Sequence, residues 1–221
     1  MAFVVAIDGP AGSGKGTVTK KIAQDMGLTN IDTGATYRCV ALAVLENGIS
    51  LEDKEKIIEI SKNITIDMDT EQNVFLNGKN VTKQIRSKEV SGIVSQVSSI
   101  KEVRLNMVEL QRKLAEGKNV IMEGRDITTY VFPNADVKIY LDASIEERAK
   151  RRFKEMQEKG IETTYEEVYQ NIEMRDNNDK NKEIGSLQIA PDAIVVDTTS
   201  LTIEEVTEKI KEIIKKEQKW I

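Results

Sequence analysis

A glycine-rich loop carrying one lysine follows the first apolar run of the chain. Residues 4–7 are branched or small apolar residues, a run typical of a strand buried on both faces. The next residues fit G-x-x-x-x-G-K, in which backbone N–H groups, a helix N-terminus and a lysine ammonium hold polyphosphate oxygens. We therefore predict a loop that binds a nucleotide phosphate chain through Gly9, Pro10, Ala11, Gly12, Ser13, Gly14, Lys15, Gly16 and Thr17.

The residue after the lysine departs from this pattern. A serine or threonine usually stands there and binds magnesium, but this chain has Gly16, and its hydroxyl comes one residue later at Thr17. We expect Thr17 to contact phosphate and the metal to be held mostly by water and phosphate oxygens. The protein's own metal ligand stays open among Asp8, Asp32 and Glu123, which all follow predicted strands.

Arginines recur in short segments beyond the loop, and their planar guanidinium groups suit phosphate oxygens. Arg38 and Arg125 lie next to strand ends with an acid nearby, so we expect them to be functional. Taken singly, Arg112 and Arg148 are expected to be ordinary charges on solvated helix faces. The other arginines of these segments are Arg104, Arg151, Arg152 and Arg175.

The composition excludes several classes of mechanism. The chain of 221 residues contains no histidine, which removes imidazole-dependent catalysis and histidine metal sites. Aromatic residues make up only 5% and the net charge is −5, so neither a base-stacking platform nor general binding of nucleic acid is expected. One folding unit with small appendages fits the length.

The cysteine content and the lengths of the apolar runs indicate the cellular compartment of the protein. Cys39 reads as a small apolar residue on a helix, and a single cysteine suits a reducing compartment. No leader pattern or apolar run near eighteen residues is evident. We expect a cytoplasmic monomer without a membrane partner.

The elements that position these residues alternate between strand and helix. Gly27 is typical of a helix C-terminus, and Asn77-Gly78 is a strong hairpin signal inside a two-residue periodicity at 64–81. Serine or threonine at 144, 164 and 202, each with glutamate three residues later, predicts three helix starts. Predicted strands are 4–7, 28–31, 120–122, 137–141 and 193–196. Predicted helices are 15–26, 35–46, 51–62, 87–98 and 101–115, then one that ends at Lys159 and one that begins at 165. A C-terminal helix is predicted to pack on the sheet through Ile203, Val206, Ile210, Ile213 and Ile214.

This order predicts an α/β fold with a five-stranded parallel sheet flanked by helices, plus a small antiparallel insertion. Ligands bind beyond the carboxyl ends of such strands. Residues 8–17, 32–38 and 123–126 all follow strand ends, so we expect them to meet at one edge.

The motifs of the chain, taken together, resemble those of the bacterial-type cytidylate kinases, members of the nucleoside monophosphate kinase group of P-loop proteins. The resemblance runs nearly end to end. Its motifs are residues 7–17, 32–38, 95–97 with 103–104, 123–126, 131–133 with 138–144, and 175–176 with Asp179.

The resemblance implies transfer of the γ-phosphoryl group of ATP, with Mg²⁺, to CMP or dCMP. It further implies that Lys15, Arg38, Arg125 and Arg175 are catalytic and that Arg151 helps to bind ATP. The implied acceptor site consists of Thr33, Arg38, Ser95, Arg104, Arg125, Asp126, Arg175, Asp179 and Lys182. Within one kinase domain at 1–221, it implies a monophosphate-binding insertion near 62–100 and a short lid near 150–183.

The chain also departs from the family pattern. Thr128-Thr129 stands where the family has glycine before threonine, Lys182 where it has arginine, and Gly185-Ser186 where it has alanine-proline. These changes put the acceptor-phosphate affinity and the shape of the closing segment in question. A kinase of UMP or of a non-nucleotide metabolite, and a P-loop switch module, remain alternatives.

Overall fold

The computed structural model describes residues 2–158 and 160–217. The strands are β1 Val4–Asp8, β2 Thr29–Asp32, β3 Ile66–Met68, β4 Val74–Leu76, β5 Lys79–Asn80, β6 Val120–Gly124, β7 Val137–Asp142 and β8 Ile194–Asp197. The helices are α1 Lys15–Met26, α2 Thr33–Glu46, α3 Lys54–Asn63, α4 Lys88–Ser99, α5 Lys101–Ala115, α6 Ile145–Glu158, α7 Tyr165–Lys180 and α8 Ile203–Glu217, with a 3₁₀ turn at Gln84–Arg86 and a π turn at Ile127–Val131.

Five parallel strands form the main sheet in the order β2-β6-β1-β7-β8. The central strand β1 pairs with β6 on one side, where Val5 lies opposite Ile121, and with β7 on the other, where Val5 lies opposite Val137. All side chains of β1 after Val4 are buried, as expected for a strand covered on both faces. The predicted five-stranded α/β fold is confirmed.

Alternate β1 residues point to opposite faces of this sheet, so both faces carry apolar side chains. A layer of helices covers each face. Val5 and Ile7 pack in one apolar cluster with residues of α1 and α8, among them Ile22 and Ile210. Ala6 packs on the other face with Val108 of α5. The C-terminal helix therefore packs as predicted, except that Ile203 is exposed.

The predicted antiparallel insertion is also present. Strands β3, β4 and β5 pair in order, and the turn between the last two has positive φ at Asn77 (49°) and Gly78 (78°), the geometry that an Asn-Gly hairpin favours. Val74 and Leu76 of β4 pack in a separate cluster with α2, α3, α4 and α5. The insertion thus shares an apolar core with these four helices beside the sheet.

Helix starts follow their capping residues. The predicted capping boxes at Thr164/Glu167 and Thr202/Glu205 form with both reciprocal hydrogen bonds. At the third start, the Ser144 hydroxyl accepts from the Glu147 N–H. The predicted helix end at Lys159 lies outside the described residues.

Some boundaries differ from the prediction. Helix α3 begins at Lys54 because the Asp53 carboxylate caps it, and β6 continues two residues past the apolar run, through Glu123 and Gly124, because β1 pairs with it that far. None of the helices in the described residues is both long and apolar enough to cross a membrane.

Candidate active site

A cavity of about 710 Å³ opens at the carboxyl ends of β1, β2 and β6. It brings together the phosphate loop, the segment after β2, the end of β6 and the last turns of α7, as the topology rule for parallel sheets requires. The predicted site residues that line it are Gly12, Ser13, Gly14, Lys15, Gly16, Thr17, Thr33, Arg38, Ser95, Arg104, Arg125, Asp126, Arg175, Asp179 and Lys182.

The loop is wrapped around the Lys15 side chain. Its ammonium donates to the carbonyls of Gly9 and Pro10, both at 2.8 Å, and to the Ser13 hydroxyl at 3.1 Å. Gly9 and Pro10 are not among the cavity-lining residues, and a Cβ on Gly9 would overlap the Leu141 carbonyl oxygen. Burial, assisted by the charge of Arg125, lowers the pKa of Lys15 well below its usual value. The loop is therefore preformed around a lysine that, in the described part of the chain, donates to neutral oxygens and forms no salt bridge with a carboxylate.

Asp8 does not belong to the cavity, although it is the last residue of β1. Its carboxylate accepts hydrogen bonds from the Ile127 N–H (2.9 Å), the Thr128 N–H (2.7 Å) and the Thr128 hydroxyl (2.6 Å). Burial raises its pKa, against the lowering effect of these hydrogen bonds. Asp8 thus fixes the turn after Asp126, and Thr128 supplies two of its three hydrogen bonds.

The other two acidic candidates do line the cavity. Asp32 caps α2 by accepting from the Ala35 N–H and lies 3.4 Å from the Arg86 guanidinium. Glu123 is held beside Gly16, and its pKa is raised to about 7 because burial and the charge of Asp32 outweigh the nearby cations. Two carboxylates therefore lie at the loop's end of the cavity.

Among the described residues, six arginines line the same cavity, and the charges of Arg38, Arg125 and Arg175 are only partly compensated. Arg125 donates to Asp179 at 2.8 Å, whereas Arg38 is held by neutral groups, the Ile85 carbonyl and the Ser91 hydroxyl. In the part of the chain that the structure describes, no hydrogen bond or salt bridge engages Arg175. Burial and the neighbouring charge of Arg125 lower the pKa of Arg175 to about 10. Such an excess of guanidinium groups, with Arg152 also lining the cavity, is suited to bind anions.

A buried ion pair occupies another part of the cavity. Arg104 of α5 donates to the Asp126 carboxylate, and the two side chains are 3% and 5% exposed. The Arg104 guanidinium also lies 5.2 Å from the centre of the Tyr37 ring. Ser95 of α4 lines the same cavity, so three groups from distant segments are presented together.

The segment after α7 closes over this ion pair. The Gly185 carbonyl accepts from Arg104 at 3.4 Å, its φ is 64°, and a Cβ at this position would overlap the Asp126 carboxylate. Gly185 therefore leaves the space that the Asp126 carboxylate occupies, and its positive φ favours glycine. Lys182 donates to Asp179 at 2.7 Å and so shares that carboxylate with Arg125.

Two other arginines, Arg148 and Arg151, do not line the cavity. Arg151, predicted to bind ATP, is not among the cavity-lining residues; it pairs with Glu147 and donates to the Thr198 carbonyl near the end of β8. Arg148, expected on a solvated face, is only 6% exposed and donates to the loop carbonyl of Ala11. That expectation was wrong because α7, not solvent, covers this side of α6.

Several cavity residues had no predicted role. Tyr37 lies within a motif already recognised, but Arg86 and the turn at 71–73 come from the insertion. Lys20 and Asn30 also line the cavity. Only the fold brings the insertion over the carboxyl edge of the sheet, so sequence spacing offered no signal for these residues.

Residues 5–216 match the family model described as Cytidylate kinase. The chain belongs to the cytidylate kinase family. It is 52% identical over 215 residues to a cytidylate kinase of Caldanaerobacter subterraneus subsp. tengcongensis, covering 97% of this chain and 96% of that one. It is 51% identical to the cytidylate kinase of Caldicellulosiruptor bescii, with coverage of 96% and 95%.

Solved structures agree on the fold of this cytidylate kinase family member. Shikimate kinase from Acinetobacter baumannii superposes with a TM-score of 0.50 and 14% identity, covering 100% of this chain and 97% of that chain. Membership in the cytidylate kinase family makes the chain an enzyme, a kinase whose substrates are small nucleotides. The resemblance seen in its sequence motifs is thereby confirmed.

Proposed function

We propose that the enzyme transfers the γ-phosphoryl group of ATP to the 5′-phosphate of CMP or dCMP, giving ADP and the diphosphate. One observation carries this proposal. The phosphate loop, an arginine group whose charge is only partly compensated and the buried Arg104–Asp126 pair all face one cavity. A donor phosphate chain, an acceptor phosphate and an acceptor base each find complementary groups there.

The acceptor base is assigned to Ser95, Arg104 and Asp126. A carboxylate accepts hydrogen bonds, so Asp126 can accept from the exocyclic amine of cytosine, which uracil lacks. A site built to bind that amine rejects an analogue without it, because a buried polar group is then left unpaired.

The acceptor phosphate is assigned to Arg38, Arg125 and Arg175. Thr33 lies beside them and donates to the Glu123 carbonyl at 2.7 Å. Asp179, which Arg125 and Lys182 hold from two sides, is placed near the sugar hydroxyls. Lys182 keeps the charge of the family's arginine with a single donor atom instead of a fork.

The chemistry needs no general base because the acceptor phosphate is already an anion. The protein positions donor and acceptor in line and neutralises charge with Lys15 and the arginines. Mg²⁺ would supply additional neutralisation of the donor phosphates. The carboxylates of Asp32 and Glu123 line the cavity and fit this ion because it prefers oxygen ligands, whereas the Thr17 hydroxyl is assigned to the donor phosphates. In this arrangement the shape of the loop is maintained through Gly9, Pro10 and Ala11. The donor phosphates face Gly12 to Thr17.

The internal division of the domain follows from this assignment. We assign monophosphate binding to the insertion near 62–100 and closure to the lid near 150–183, whose α7 carries Arg175 and Asp179. Closure would exclude water, which otherwise competes as the acceptor. We also assign the enzyme to the cytoplasm as a monomer; the buried, free thiol of Cys39, whose pKa burial raises to about 12, suits a reducing compartment.

A panel of acceptors tests the proposal. ADP release is measured with ATP and CMP, dCMP, UMP, AMP or no acceptor. We expect rapid release with CMP or dCMP, and Asp126→Ala should reduce discrimination against UMP by about tenfold or more. Asp192→Asn, which removes an exposed partner of Lys138, should leave the preference unchanged.

Two other outcomes would replace the proposal. A faster rate with UMP, or no monophosphate acceptor at all, would indicate a kinase of another small molecule. Slow hydrolysis that ignores every monophosphate would indicate a nucleotide-dependent switch. Unchanged discrimination in Asp126→Ala would remove Asp126 from the base site.

A further inference from the structure

Both backbone polar groups of Ala11 in the phosphate loop are held by one buried ion pair. Its N–H donates to Asp176 Oδ1 at 3.1 Å, and its carbonyl accepts from Arg148 Nη1 at 2.9 Å. The same Arg148 nitrogen donates to Asp176 Oδ2 at 2.6 Å. Helices α6 and α7, which supply these two side chains, are thereby joined to the loop at a single residue.

Burial and further contacts hold the Arg148–Asp176 ion pair in place. Its side chains are 7% and 9% exposed, and Arg148 Nε also donates to the Ala143 carbonyl at 2.9 Å. A Cβ on the adjacent Gly12 would lie 3.3 Å from the Arg148 Cβ and 3.7 Å from Ile172 Cδ1. The loop thus packs directly against both helices, and burying these charges is tolerated because each has several hydrogen-bond partners.

Helix α7 carries this anchor and acceptor-site groups on adjacent turns. Arg175 precedes Asp176 in the chain, and Asp179 follows one turn later; both line the cavity. A shift of the loop at Ala11 would move Asp176, and a rigid helix would pass that movement to Arg175. Arg175 is free to respond because, within the described residues, no hydrogen bond or salt bridge fixes its guanidinium.

We propose that Arg148 and Asp176 are positioning residues that couple donor binding in the loop to the placement of Arg175 and Asp179 for the acceptor. This inference rests on the proposed function, which puts the donor in the loop and the acceptor at the arginines. Neither residue touches a substrate; each acts through Ala11 and α7. Occupancy of the loop then strengthens acceptor binding, and acceptor binding strengthens donor binding by the same factor.

Calorimetry on Asp176→Asn tests the coupling. The dissociation constant of CMP is measured with and without a saturating β,γ-imido analogue of ATP. For the unmodified enzyme we expect the analogue to tighten CMP binding by about fivefold or more. In Asp176→Asn this factor should fall to within about twofold of one, while CMP affinity without the analogue changes by less than about threefold.

Two variants separate positioning from a loss of folding. Asp25→Asn removes a surface partner of Lys211 and should keep the full coupling factor. Arg148→Lys keeps the charge and one donor, so we expect partial recovery of the coupling relative to Arg148→Ala. If Asp176→Asn does not fold, this second pair of variants carries the test, with the melting temperature of each recorded.

The result that overturns the inference is a coupling factor near one in the unmodified enzyme, or an undiminished factor in Asp176→Asn or Arg148→Ala. Failure of the proposed function looks different. In that case the unmodified enzyme neither binds CMP nor transfers phosphate to it, whatever the state of the ion pair.

Discussion

The Glu123 carboxylate occupies the space beside Gly16 that a side chain there would need. A Cβ built on Gly16 would lie 2.8 Å from Glu123 Oε1, closer than real Cβ atoms approach an oxygen. A serine or threonine, which the usual phosphate-loop pattern has at this position, would therefore have to displace the end of the Glu123 side chain.

Gly16→Ala should therefore displace the end of the Glu123 side chain. Because that end can move, we expect a modest effect, with the KM for ATP raised about threefold to tenfold, or roughly 1 kcal/mol. Steady-state rates at varied ATP concentration measure it. Gly92→Ala is a matched control because a Cβ on that α4 residue meets no atom within 4 Å. An unchanged KM for ATP in Gly16→Ala would show that the contact does not influence donor binding.

Lys15→Ala removes the cation at the centre of the loop. We expect kcat to fall by about 10²–10³-fold, the usual loss for a group that stabilises developing charge. Circular dichroism should show that the fold is retained. Lys21→Ala, which breaks only an exposed pair with Glu204, should turn over at the normal rate. Near-normal kcat in Lys15→Ala would exclude a catalytic role for this lysine.

Thr128→Val should lower stability more than activity. The substitution keeps the shape but removes the 2.6 Å hydrogen bond to the fully buried Asp8 carboxylate, at a cost of about 1–3 kcal/mol. Urea unfolding measures the free energy of unfolding. The neighbouring Thr129→Val serves as the control and should cost less. Equal losses in the two variants would argue against a special role for the Asp8 contact.

Asp179 should make stability depend on pH in the acid range. Burial opposes its ionisation, but Arg125 and Lys182 outweigh burial and lower its pKa from 3.8 to about 2. Because the folded state binds the proton less tightly, the ionised group stabilises the fold above pH 4, and this contribution disappears as the pH falls through 2. Asp179→Asn should thus be less stable by about 2 kcal/mol at pH 7, with the difference shrinking at acid pH.

Chemical unfolding from pH 7 down to the lowest pH at which the protein stays folded measures this difference. Glu183→Gln, which removes an exposed pair with Lys101, should differ from the unmodified enzyme by less than about 0.5 kcal/mol throughout. A constant difference between Asp179→Asn and the unmodified enzyme across the acid range would contradict the assigned pKa shift.

Local patterns alone predicted much of this enzyme. The apolar run before Gly9, the Asn77-Gly78 turn and the capping box at Thr164 each depend on residues close together in the chain. Backbone conformations and hydrogen bonds over three or four residues determine such features, so the sequence carries them directly. The gathering of strand-end residues at one edge followed from the alternation of strands and helices.

The partners of individual charged side chains were decided only by the tertiary structure. Sequence spacing does not distinguish Arg148, which is buried against Ala11, from Arg151, which lies three residues later in the same helix and pairs with Glu147 instead. Asp8 likewise lies at the carboxyl end of a strand as Glu123 does, yet its carboxylate points at Thr128 and not into the cavity. These outcomes depend on which helix or turn packs against each residue from a distant part of the chain. Burial and long-range hydrogen bonding, which no local pattern encodes, therefore decide which charges are free to bind a substrate.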